Sequence, residues 1–222
     1  MEDIEFIEKI INLYKKAEKP IFSNGKRNIK RGRKHPISSK VEDLFAVYIS
    51  DILPNEVELL IDQPFTYSKD KRKKKQTIYP DIAVKRDNNI LNFFDLKMDL
   101  GFNRKFYPFC KKKQTLIENI RGLYVNGTNK VEIKEKEPDN KIYIDRDIKY
   151  NIVIVSNQNI SEKQKQTNTS TIKKRLDKNK VGVFILTDIH PNKHYSQPMP
   201  EEKVFRKEDF VKLRQEIKRG AK

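Results

Sequence analysis

The chain holds a single cysteine, Cys110, among 222 residues, so an intrachain disulfide is excluded and a reducing compartment is expected. No apolar stretch approaches the length of a membrane span, which excludes a helical membrane anchor in this sequence. The start, Met1-Glu2-Asp3-Ile4-Glu5, lacks the basic opening and apolar core of a signal peptide, so the expectation is a cytoplasmic protein with no membrane partner. There is no internal repeat, no phosphate-cradling P-loop and no nucleophile elbow. His190 and His194 stand close together, but neither cysteine nor a third ligand lies near them, so they read as a surface loop rather than a zinc site. Acidic residues are also short: 31 against 48 lysines and arginines, a net charge of +17. An excess of that size favours a polyanionic partner, nucleic acid above all. The plainer reading is a lysine- and asparagine-rich composition that only keeps the surface soluble.

What is present is charge interleaved with apolar runs. Charged and hydrophobic residues each make up 36% of the chain, yet the apolar ones recur periodically, which predicts a folded domain with a real core. Ile4, Ile7, Ile10, Ile11 and Tyr14 predict an amphipathic helix over 3–18. A basic loop follows over 20–38, then a helix over about 40–53 that stops before Pro54. Residues 56–66 read as a first strand, 69–75 as a charge run, and 76–98 as a hairpin turning at 86–89. A basic, aromatic stretch occupies 102–113, and a helix over 114–124 ends at Asn126-Gly127. Residues 131–145 read as an accessory hairpin. Strands at 151–155 and 181–186 flank a polar helix or arm at 161–177, and a last helix covers about 206–219. The expected fold is α/β, a mixed central sheet with helices on both faces. It forms one domain, 1–222, with its core at about 40–187 and both terminal helices peripheral.

The chemistry-bearing residues sit on the hairpin. Pro80-Asp81 lies in one apolar run and Asp95-Leu96-Lys97 in the next. Asp95 and Lys97 are two apart and share a strand face, with Leu91 and Phe93 beside them; Tyr79, Asp81 and Ala83 share a face of the partner strand. If the register aligns them, Asp81, Asp95 and Lys97 converge. Charges in such apolar segments cost several kcal/mol each, on the order of the penalty for burying an ion. Two converging carboxylates repel, and a Mg²⁺ ion with oxygen ligands removes that penalty, the Leu96 carbonyl being a further candidate ligand. The alternative is a salt bridge from Asp81 or Asp95 to Lys97 that simply holds the hairpin. Glu42 has two readings as well. Ser39-Lys40-Val41-Glu42 matches a capping box, whereas the helical wheel sets Glu42 between Ile49 and Leu53 on the apolar arc, where an acid needs a use.

A glutamate on an early helix, then Pro-Asp, then Asp-x-Lys on a hairpin, resembles the PD-(D/E)XK nuclease superfamily, the restriction-endonuclease-like fold. The motifs cover about residues 40–98, and the later helix and strands follow the core order in outline. The resemblance implies metal-dependent phosphodiester hydrolysis. Asp81 and Asp95 would bind Mg²⁺, with Mn²⁺ as a substitute, Glu42 would add a ligand directly or through water, and Lys97 would position or help activate the attacking water. In one departure, Gln114 is followed four residues later by Glu118, where some members carry tyrosine.

The basic runs supply backbone-contact candidates: Lys30, Arg31, Arg33 and Lys34; Lys73 and Lys74; Arg104, Lys105, Lys111 and Lys112. Residues 157–171, rich in amides and hydroxyls, read as a polar connector or as a reader of base edges. The expectation is a Mg²⁺-dependent endodeoxyribonuclease of the site-specific restriction type, acting on double-stranded DNA as a homodimer. The alternatives are a non-catalytic DNA-binding module on the same fold, and a nuclease for structured DNA or for RNA.

Overall fold

A computed structural model describes residues 1–19, 33–68, 75–102, 105–127, 141–191 and 204–220. In chain order these form α1 (Asp3–Ala17), α2 (Ser38–Ser50), β1 (Val57–Ile61), β2 (Phe65–Tyr67), β3 (Gln76–Ile78), β4 (Ile82–Arg86), β5 (Asn89–Asp99), α3 (Phe106–Ile120), β6 (Tyr124–Gly127), β7 (Lys141–Ser156), α4 (Glu162–Arg175), β8 (Val181–Thr187) and α5 (Lys207–Arg219). The strands make one mixed sheet in the order β1-β4-β5-β7-β6-β2-β3, with β8 also on β7. β5, β7 and β8 run parallel to one another, and the remaining pairs are antiparallel.

β7 serves two neighbours on one edge. Its first residues pair with β6, and from Tyr150 onward it pairs with β8. The sequence suggests separate strands at 141–145 and 151–155, but the polar residues between them form an irregularity inside one 16-residue strand. There the Asp147 amide turns back to the Asp145 carboxylate at 2.6 Å. The expected accessory hairpin is thereby replaced: residues 141–145 belong to the main sheet, and 131–140 lie outside the described residues.

Two apolar cores lie on opposite faces. On one, Phe6, Ile7 and Ile10 of α1, Phe45 and Ile49 of α2, and Phe210, Leu213 and Ile217 of α5 pack on Ile82, Phe94, Leu96, Val153 and Val155. The terminal helices, expected at the periphery, are therefore built into the core, and the apolar side of α1 is spent within its own chain. On the other face, Phe106, Cys110, Ile117 and Ile120 of α3 cover Ala83, Phe93, Tyr150, Ile152 and Ile154. Period-2 strand patterns facing period-3.6 helix patterns on both sides produce this layering.

The sheet is curled. β1 and β4 stand at one end of the strand order and β2 and β3 at the other. Yet the chain crosses from β1 to β2 in residues 62–64 and from β3 back to β4 in residues 79–81. Such links reach at most about 14 Å, so the two ends must approach. The Phe65 ring of β2 lies 5.6 Å from that of Phe93 in β5, folded over the α3 face. The single strand expected over 56–66 is split by this crossing. The expected run through Thr77 and Val84 is split as well, at Pro80, which has no amide to give a ladder.

Several boundaries move. α2 begins at Ser38 rather than about 40 and ends at Ser50. α3 begins at Phe106, eight residues before the sequence expectation, and ends at Ile120. Pro108 sits in its first turn, where a missing amide costs nothing. Leu123 and Tyr124, expected on that helix, lie beyond it, and Tyr124 is an exposed residue of β6.

Candidate functional site

The hairpin register decides whether a site exists. At the turn, Arg86 pairs with Asn89 and Lys85 with Ile90. Continued unchanged, that register would set Asp81 across from Phe94. A bulge intervenes: Leu91 is left over, and pairing resumes as Val84–Asn92, Ala83–Phe93 and Ile82–Phe94. One step further, Asp81 stands opposite Asp95. The extra residue thus brings the two carboxylates together. It also turns Leu91 toward the α1–α2 core, not beside Phe93 as strict alternation suggests.

Asp81 lies just before β4, behind the buried Pro80. Its Oδ2 accepts from the Leu96 amide at 2.6 Å and from Lys97 Nζ at 3.4 Å. Lys97 is also 3.8 Å from Asp95 Oδ2. Burial first, then the charge of Asp95, raises the Asp81 carboxyl above its ordinary range, with Lys97 and the Leu96 amide opposing. Because a strand residue's amide and carbonyl leave on the same side, the Leu96 carbonyl faces this edge too.

Asp95 is buried among partners that the sequence reading did not identify. Tyr150 donates its hydroxyl to Oδ1 at 2.5 Å, and Lys113 of α3 lies 2.8 Å from Oδ2. Lys113 also donates to the Tyr150 hydroxyl at 2.6 Å and sits over the Tyr150 ring, 4.2 Å from its centre. The Phe109 ring lies near both cations, 5.4 Å from Lys113 and 6.0 Å from Lys97. Burial, then Asp95, holds the Tyr150 phenol well above its usual value, which keeps it a donor. Starting α3 at Phe106 instead of 114 would have placed Lys113 beside the inward stripe Phe106, Cys110, Ile117. Tyr150 shares strand parity with the buried Ile152 and Ile154.

Glu42 is half-buried on α2, and its neighbour Asp43 is exposed. The capping box does not form: α2 starts at Ser38 after Ile37, with no side-chain cap. Among the described residues Glu42 makes no hydrogen bond or ion pair. Burial, then the charges of Asp81 and Asp62, raises its carboxyl, while Lys97 lowers it. Glu42 therefore shares the electrostatic environment of Asp81 and Lys97.

Among the described residues, no three acidic, histidine or cysteine side chains stand close enough to enclose an ion. The donor set still fits a hard cation in kind: the oxygens of Asp81 and Asp95 and the Leu96 carbonyl, with Glu42 in the same field as Asp81 and Asp81 raised by burial and then by the charge of Asp95. The salt-bridge alternative is also present in the geometry, since Lys97 lies near both carboxylates.

The backbone-contact candidates divide. Lys105 precedes α3, and Lys111 and Lys112 are exposed on it, the helix that also carries Lys113 and Phe109. Arg33 is exposed, and Lys34 pairs with Glu18 at 2.7 Å. Lys30, Arg31, Lys73, Lys74 and Arg104 lie outside the described residues. Of the polar segment 157–171, residues 162–171 lie in α4, which is capped by Ser161 and has no buried residue. His190 is buried, 3.3 Å from Asp99, rather than on an open loop; His194 lies outside the described residues. Compared with known proteins, the chain matches no family model, no curated protein and no solved structure.

Proposed function

We propose that this chain is a Mg²⁺-dependent nuclease that hydrolyses DNA phosphodiester bonds on a restriction-endonuclease-like core. In its favoured form it is a cytoplasmic, site-specific endonuclease that cuts both strands as a homodimer. The observation that carries the reading is the opposition of Asp81 and Asp95 across a bulged hairpin, with Lys97 reaching both. A glutamate from the preceding helix shares the field of Asp81 and Lys97, and α3, which supplies Lys113, also carries exposed lysines. The net charge of +17 suits a polyanionic substrate.

Asp81, Asp95, the Leu96 carbonyl and, directly or through water, Glu42 would hold the divalent ion, which when bound supplies Lewis-acid stabilisation of the phosphate. Tyr150 fixes the Asp95 carboxylate by its hydrogen bond, so that side chain need not reorganise during the reaction. Lys97, anchored on the rigid β5, sets an ammonium beside the reacting phosphate and orients the attacking water. Lys105, Lys111 and Lys112 would hold the DNA backbone.

The test is incubation of the pure protein with plasmid and phage DNA, with Mg²⁺ or with EDTA. Discrete Mg²⁺-dependent fragments are expected, and Asp81→Ala should bind DNA without cutting it. A smear would replace site specificity with non-specific cleavage. The ion pairs from Lys97 and Lys113 to the carboxylates favour a second reading, a DNA-binding module whose acids are permanently neutralised. That reading prevails if the wild type binds duplex yet cuts nothing with Mg²⁺ or Mn²⁺.

A further inference from the structure

Asp95 is countered twice, and one lysine would suffice. Lys97 neutralises the hairpin from its own strand. Lys113 arrives from α3, across the buried face, with its ammonium held between Asp95 Oδ2, the Tyr150 hydroxyl and the Tyr150 ring. Its side chain remains 18% exposed, and that of Lys97 25%, against 4% for Asp95, so both lysines reach solvent while Asp95 does not. The Phe109 ring lies near both.

Charge balance gives the pair a meaning. Asp81 and Asp95 bring two negative charges when ionised, and the two lysines that touch them bring two positive ones. A divalent ion alone would leave these four groups with an excess of positive charge and would meet two ammoniums. A phosphodiester alone would meet two carboxylates. The ion and one phosphodiester together reduce that excess, with the ion on the carboxylates and the phosphate on the lysines.

We propose that Lys113 is a second phosphate-binding cation of this site, which trades its contact with Asp95 for a substrate phosphodiester when a divalent ion takes the carboxylate. This rests on the nuclease reading for the identity of the substrate. Lys113 then couples two binding events: it opposes the ion in the free protein and favours it once DNA is present. Coupling of this kind is reciprocal, so the ion strengthens DNA binding by the same factor.

The test uses Ca²⁺ as a hard-cation probe and a short DNA duplex, with calorimetry for the ion and fluorescence anisotropy for the duplex. The proteins are the wild type, Lys113→Gln, Lys113→Arg and Tyr150→Phe, each first shown to melt cooperatively. In the wild type, duplex should tighten Ca²⁺ binding. In Lys113→Gln, Ca²⁺ should bind the free protein on the order of tenfold more tightly, because a unit charge beside the ligand is gone. The gain from duplex should shrink by a similar factor, and Lys113→Arg should restore much of it. Tyr150→Phe, which removes a hydroxyl and no charge, should keep the coupling. A purely structural Lys113 predicts the reverse: weaker Ca²⁺ binding in Lys113→Gln, or none of these shifts. Either result overturns the proposal, as does a wild type that binds no Ca²⁺. Coupling without Mg²⁺-dependent cleavage would sink the nuclease reading and leave the coupling intact.

Discussion

Asp81 is held by groups that pull in opposite directions. Its carboxylate gains the Leu96 amide and part of Lys97, and pays with burial and the nearness of Asp95. The net effect raises its pKa on folding, so folding takes up a proton there. Stability from this group is fully present below the ordinary carboxylate pKa and is lost as pH rises through the raised value. In EDTA-treated protein, Asp81→Asn should therefore melt at or above the wild-type temperature at neutral pH. The gap should close in acid, where both forms are uncharged. A variant that melts well below wild type at neutral pH would show that the carboxylate stabilises the fold. Saturating Mg²⁺ should reverse the order, raising the wild type's melting temperature and leaving that of Asp81→Asn nearly unchanged.

The bulge at Leu91 is an element-scale device. The alternation of Asp95 with Lys97 was legible in the sequence because strand parity is local, and both do share a face with Phe93. The convergence of Asp81 on them was expected but not derivable, since the turn alone sets a register that misses by one. An extra residue in a ladder leaves no mark in composition. Lys113 was hidden for another reason: proline and aromatics at the head of α3 read as loop, although a first turn tolerates both. The long β7 was read as two strands because charges mid-strand look like a break. Deleting Leu91 should close the ladder without a bulge and leave Asp81 opposite Asp95, because Asn92 then follows Ile90 directly. The shortened protein should keep Mg²⁺-dependent cleavage, as should Leu91→Val. Loss of cleavage in the deletion variant alone would show that the bulge shapes the site beyond setting its register.

At the scale of the whole molecule, a sheet covered on both faces leaves its function to edges and charges. α1 and α5 close one face, so residues from both ends of the chain meet in the same core. Arg214 of α5 reaches Asp3 of α1 at 2.7 Å. On the other side, α3 turns Cys110 and Ile117 inward and Lys111 and Lys112 outward. If those lysines and their neighbours bind backbone phosphates, affinity for random duplex should fall log-linearly with salt. A footprint of about six phosphates would lose roughly a thousandfold between about 50 and about 200 mM. A flat salt dependence in filter binding would remove the duplex-backbone assignment.

The short crossing through Tyr79, Pro80 and Asp81 makes that carboxylate the pivot on which β2 and β3 fold over the sheet. Should that flap lift, the pull would be felt first at Asp81, which is tethered on its far side to the Leu96 amide. Opening of the flap and dismantling of the acidic pair are then one mechanical event. Exchange of the Leu96 amide with deuterium should follow the amides of β2 and β3, not those of the β5–β7 ladder beside it. A duplex seated across α3 would slow it, so this one proton can report whether the molecule is armed.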